Sequence, residues 1–170
     1  MGCFSCIQKL IDAVLFPYFL FMVVVIPLFD AQSCIPRSFY PDVLADLHAS
    51  YSHDYGDFLV AEPPLFFVGL VWFEVAFHWP LCLANLAGVL GSKSWFPTTC
   101  LVYGVSVVTS MAAILPELIW SPKTSDKIKM IYFPFLGVAV LAVVRGIFPW
   151  HGNSSSGSST GHSLAKKKRT

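Results

Sequence analysis

Four long apolar stretches govern what this chain can fold into: residues 10–29, 64–90, 97–120 and 130–150. Each is about 20 residues or longer, and about 20 apolar residues on a helix cross the hydrocarbon core of a bilayer. A small soluble domain leaves much of its surface in water and cannot hide four such runs. Composition agrees. The chain is 55% hydrophobic and only 12% charged, about half the charged fraction of an ordinary soluble domain. The expected fold class is therefore an all-α membrane protein, a four-transmembrane-helix bundle. A net charge of +1 with no basic groove excludes a nucleic-acid partner.

The first span is too long and aromatic for a signal-peptide core, so it is read as retained. Pro17 and Pro27 lie inside it, which predicts a bend near Pro27, just before Asp30. Residues 31–63 form the longest polar connection. They carry Asp42, Asp46, Asp54, Asp57 and Glu62 against a single Arg37. Apolar residues at helical spacing over residues 43–51 predict a short amphipathic helix there, with Pro41 at its start. Pro80 is expected to break the second span, which holds Glu74, His78 and Asn85.

The division expected is a cytosolic segment over residues 1–9, a four-helix domain over 10–150, and a Ser/Gly/Lys-rich tail over 151–170. The tail is disordered by composition. Four spans return both termini to one side. Lys9, Lys93, Arg145 and the tail lysines favour the cytosol for that side, although Lys123, Lys127 and Lys129 oppose it. Arg145 reads as a side chain snorkelling to the cytosolic interface. Lys168 and Lys167 stand third and fourth from the C-terminus, the placement of an endoplasmic-reticulum retrieval signal. Cys3 and Cys6 have no second pair to complete a zinc site, and read as free or lipidated thiols. His48, His53 and Asp54 are too loosely spaced for a metal site, so no metal and no cofactor are expected.

The acids carry the chemistry. In this topology Asp30 ends the first span, Asp57 precedes the second, and Glu117 ends the third, all on the lumenal side. Glu74 lies about ten residues into the second span, about 15 Å deep, with His78 on the same helix face. Carboxylates at such depth are neutral, paired or facing a wet cavity. A pair of them suits a ligand ammonium, and Tyr51, Phe58, Trp72, Phe77 and Tyr103 are candidates for apolar walls.

The segments YFLFMVVVIPLFDAQ, IPRSFYP, GDFLVAEPP, WFEVAFHWP and VYGVSVVTSMAAILPEL, taken together, resemble the transmembrane protein 97 or sigma-2 receptor family. That family belongs to the EXPERA group with the emopamil-binding sterol isomerases. The resemblance is close over residues 18–118 and loose over the fourth span, and the long Ser/Gly tail is similar to plant members. It implies a four-helix endoplasmic-reticulum protein, possible as a homodimer, whose pocket opens to lipid and binds sterols and cationic amphiphiles. By position, Asp30 matches the aspartate that meets the ligand amine, and Asp57 the aspartate that hydrogen-bonds to it. Glu74 matches an acid shaping the pocket, and Tyr51 and Tyr103 match pocket tyrosines. His78 departs from the family, which has an amide there, and Glu117 departs from an apolar position.

Two functions follow from that resemblance. The reading adopted is a noncatalytic sterol or lipid binding protein of the endoplasmic reticulum, in sterol homeostasis or trafficking, with ligand contacts at Asp30, Asp57, Glu74, Tyr51, Tyr103 and His78. The alternative is a sterol Δ8–Δ7 isomerase using Glu74 and His78 as acid and base. The isomerase branch carries His before Glu in this region, the reverse of the order here.

Overall fold

The computed structural model of the chain describes residues 2–122 and 124–148. Readings that rest on the Cys3 side chain, Lys123, the last two positions of the fourth expected span or the tail with Lys167 and Lys168 lie outside the described residues. Among the described residues the protein is all-helical. Four helical segments are long and apolar enough to cross a membrane: Cys6–Ser33, Leu65–Leu90, Phe96–Trp120 and Asp126–Ile147. The protein is thus a multi-pass membrane protein.

The first long helix, α1, runs from Gly2 to Leu28, then tightens into a 3-10 turn over Asp30–Ser33. A second 3-10 turn, Arg37–Phe39, leads to the connecting helix α2, Asp42–Tyr55. This is the helix expected over residues 43–51, extended at both ends. It stops at Gly56, which takes a left-handed conformation with φ 67° that side chains with a Cβ resist. A single turn, α3, covers Phe58–Ala61.

The second span is built in three pieces: α4, Leu65–Phe73; a π turn, Glu74–His78; and α5, Trp79–Leu90. Pro80 does not break this span. A proline cannot donate to the carbonyl four residues back and its ring crowds that carbonyl. The wider turn just ahead of it absorbs the mismatch, with the Trp79 N–H reaching back five residues to the Glu74 carbonyl. The third span, α6, is Phe96–Trp120 and the fourth, α7, is Asp126–Ile147.

Pro27 leaves the Val23 carbonyl without its backbone donor, and the Trp79 Nε1–H fills the vacancy from the second span at 3.0 Å. The third and fourth spans meet at two glycines. A Cβ on Gly104 would sit 2.7 Å from the Ala139 carbonyl oxygen, and one on Gly146 would strike Leu101. Small residues let helix backbones approach closely where no water is present to drive them together.

Arg145 does not snorkel. Its Nε donates to Asp12 Oδ1 at 2.6 Å and one terminal nitrogen reaches Asp12 Oδ2 at 3.3 Å. Its guanidinium also lies 5.1 Å from the centre of the Phe96 ring. Asp12, one turn into the first apolar run, offers a nearer partner than the membrane surface does.

Two apolar clusters form the core. One gathers Leu15, Phe19, Met22, Ile26, Cys82, Cys100 and Tyr103. The other gathers Leu59, Phe67, Val71, Ile114, Leu118 and Ile128 toward the end that carries α2 and α3. Residues of both line the space where the functional residues meet.

Candidate functional site

A cavity of about 460 Å³ is lined by residues of both clusters, Met22, Tyr103 and Val107 from the first and Phe67, Val71 and Ile114 from the second. Its walls come from α1, α2, the second span, α6 and α7, and they are overwhelmingly apolar, with Phe21, Val25, Phe67, Val71, Met111 and Ile114 among them. The volume falls in the range of small-molecule pockets, roughly 300–1,000 Å³. Asp30, Tyr51, Glu74, His78 and Tyr103 all line it. Asp57 and Glu117 do not.

Asp30 arrives there because α1 ends beneath it. The Phe29 N–H still closes an α-helical bond to the Val25 carbonyl at 2.7 Å, and the 3-10 turn then begins at Asp30 itself. Gln32 holds that turn in place, donating to the Leu28 carbonyl at 2.6 Å and to the Leu44 carbonyl of α2 at 3.3 Å. Glu74 opens the π turn. Both residues are half-buried, and both line the cavity. Among the described residues neither makes a hydrogen bond or an ion pair. Two acids without partners in an apolar cavity form a ready site for a cation or a hydrogen-bond donor.

Asp57 is engaged by protein groups on both of its carboxyl oxygens. It is 0% exposed. Its Oδ1 accepts from the backbone N–H of Leu59 at 3.1 Å and of Val60 at 3.3 Å, as the N-cap of α3. Its Oδ2 accepts from the hydroxyls of Tyr132 at 3.1 Å and Tyr51 at 3.4 Å. Among the described residues no hydrogen bond joins it to Asp30; its acceptor positions are already taken. Burial pushes its carboxyl above the usual carboxylate range, and the four donors pull the other way. Asp57 thus fixes α3 and two tyrosines that line the cavity. The N-cap pattern of an aspartate ahead of Phe58, Leu59 and Val60 was present in the sequence.

Glu117 is exposed on α6 and is not brought to the other acids. Phe58, Trp72 and Phe77 are likewise absent from the cavity walls. Tyr51 and Tyr103 do line it, and Tyr18, Phe21, Phe29, Phe67, Tyr132 and Phe135 supply the rest of the aromatic wall. Tyr18 and Tyr103 join through their hydroxyls at 2.9 Å. Tyr132 sits in the fourth apolar run, and a tyrosine within such a run signals a buried hydrogen-bond partner.

His48 of α2 is a further lining residue. Its ring packs on Phe29 at 5.0 Å, its Nε2 is sealed without a hydrogen bond, and burial lowers its pKa. His53 meets the adjacent Asp54 at 3.3 Å on the surface. Among the described residues no group of three His, Cys, Asp or Glu side chains is placed to hold a metal ion.

Comparison with known proteins agrees with this architecture. Residues 43–146 match the EBP family model, described as EXPERA, the expanded EBP superfamily. The sequence is 29% identical over 153 residues to Sigma intracellular receptor 2 of Xenopus tropicalis, covering 82% of this chain and 90% of that one. It is 28% identical over 114 residues to Sigma intracellular receptor 2 of Homo sapiens, covering 66% of this chain and 65% of the human one. The Macaca fascicularis protein of the same name matches to the same extent. With more than half of its length matched by the family model, the chain belongs to the EXPERA family.

Proposed function

We propose that this protein binds sterols and cationic amphiphiles in its intramembrane cavity, as an endoplasmic-reticulum protein of sterol homeostasis or trafficking whose termini face the cytosol. The observation that carries the reading is the pair of unpartnered carboxyls, Asp30 and Glu74, in an otherwise apolar cavity. A ligand ammonium gains there a charge-assisted hydrogen bond that no protein group already supplies. The aromatic walls add apolar area and ring faces for the same cation.

The test is binding of a tritiated cationic amphiphile to the full chain in detergent. Asp30→Asn is expected to weaken binding at least tenfold, on the order of what a hydrogen-bonded charge contributes. Glu74→Gln is expected to weaken it less. Wild-type affinity in both variants would sink the reading.

A second reading rests on one placement. Glu74 and His78 open and close a single π turn, and both line the cavity, which suits an acid and a base acting on one ligand. Expression in yeast lacking its sterol Δ8–Δ7 isomerase decides between them. Restored growth with a shifted sterol profile establishes the isomerase.

A further inference from the structure

His78 closes the π turn and is 3% exposed. Its Nε2 lies 2.9 Å from Ser106 Oγ, and Ser106 Oγ lies 2.8 Å from the Tyr103 carbonyl oxygen. A serine hydroxyl has one hydrogen and two lone pairs. A carbonyl oxygen has no hydrogen to give, so Ser106 donates to Tyr103 and accepts from His78. The hydrogen of the 2.9 Å bond therefore sits on Nε2. In the neutral ring the other nitrogen, Nδ1, then carries a lone pair.

That lone pair is unused. Among the described residues Nδ1 has no hydrogen-bond partner, and it is not one of the sealed atoms, as His48 Nε2 is. His78 is one of the residues that line the cavity. The ring is held from its other sides by Tyr103, 5.5 Å away, and Phe73, 5.0 Å away. Ser110 stands one helical turn beyond Ser106 and also lines the cavity, without a hydrogen bond among the described residues.

The geometry points to a hydroxyl-recognition subsite in the cavity, in which Ser106 locks the His78 tautomer so that Nδ1 accepts a hydrogen bond from a ligand hydroxyl and Ser110 supplies a second polar contact. The inference rests on the binding function above and narrows it to hydroxylated ligands such as 3β-hydroxysterols. A hydroxyl donates to Nδ1; a ketone at the same carbon has no hydrogen to donate and faces a lone pair with a lone pair. His78 is thus a specificity residue and Ser106 a positioning residue.

The experiment uses the full chain in lipid nanodiscs. A 3β-hydroxysterol and its 3-keto counterpart each displace a tritiated cationic amphiphile, and the ratio of their affinities is read. The wild type is expected to prefer the hydroxyl about fivefold, the yield of one neutral hydrogen bond. His78→Phe is expected to erase the ratio, His78→Gln to keep most of it through its amide carbonyl, and Ser106→Ala to reduce it by freeing the ring. Nitrogen-15 shifts of labelled histidine are expected to show Nε2 protonated and Nδ1 bare.

A protonated Nδ1 overturns the inference whatever the variants do. So does a ratio that survives His78→Phe and vanishes in Glu74→Gln, since the carboxyl is then the acceptor. Equal weakening of both sterols in His78→Phe also overturns it, as the mark of a merely structural residue. If the amphiphile binds and the wild type shows no hydroxyl preference, this inference fails alone. If the amphiphile does not bind, the broader function fails with it.

Discussion

Asp57 shows how far a residue's role depends on what surrounds it. In sequence it is one of several loop acids beside a span. In the structure it caps α3, receives two tyrosine hydroxyls and is withdrawn from the cavity. Burial holds its pKa above the usual value. The sign follows from linkage: a raised folded pKa means the folded state binds the proton more tightly. The stabilisation is complete below the unfolded pKa, near 3.9 for an aspartate, and is lost as pH rises through the folded value. Thermal unfolding of wild type and Asp57→Asn between about pH 4 and pH 7 checks this. The wild type is expected to gain on the variant as pH falls; a gain with rising pH would show that the four donors outweigh burial. Asp30 went the other way. Its place at the edge of an apolar run was plain in the sequence, but its lack of a protein partner required the positions of every neighbouring side chain.

At the scale of the element, prolines tested the sequence reading hardest. Pro27 leaves the Val23 carbonyl in need of an outside donor, and Trp79 supplies it from another helix. Trp79→Phe is expected to cost about 1 kcal/mol, the net value of such a bond. Pro27→Ala restores a backbone N–H to the same carbonyl. In the double variant the cost of losing the indole donor is expected to shrink, and thermal denaturation of the four proteins in one detergent measures that coupling. Additive costs would mean that Trp79 acts by packing alone. Pro80 was legible as an interruption and not as a π turn, because hydropathy shows a helix's presence and not its winding. The helix of the first connection was legible from apolar spacing. Its end at Gly56 depends on backbone conformation that only coordinates reveal.

Across the whole molecule, the first and last spans are tied by Asp12 and Arg145, whose side chains are 27% and 11% exposed. Removing one member of such a pair leaves the other unpaired in an apolar setting, at a cost of about 3–5 kcal/mol in comparable buried pairs. Asp12→Leu and Arg145→Met are each expected to lower the unfolding temperature sharply, and the double variant to recover part of the loss. A double variant no better than its worse parent would show that the pair's attraction exceeds the cost of burying it. The tie closes the bundle at one end, while residues of both apolar clusters line the cavity.

Four apolar runs of bilayer length determined by themselves that this is a four-span helical membrane protein, because hydrocarbon admits long apolar helices and little else. The quoted segments determined its family. Which acids share a cavity was decided only by tertiary structure. Asp30 and Glu74 face it, Asp57 is withdrawn behind it, and Glu117 points away, since helix rotation, a 3-10 turn and a π turn set where each side chain lands. The pairing of His78 with Ser106 belongs to the same level, since the two residues stand on different spans.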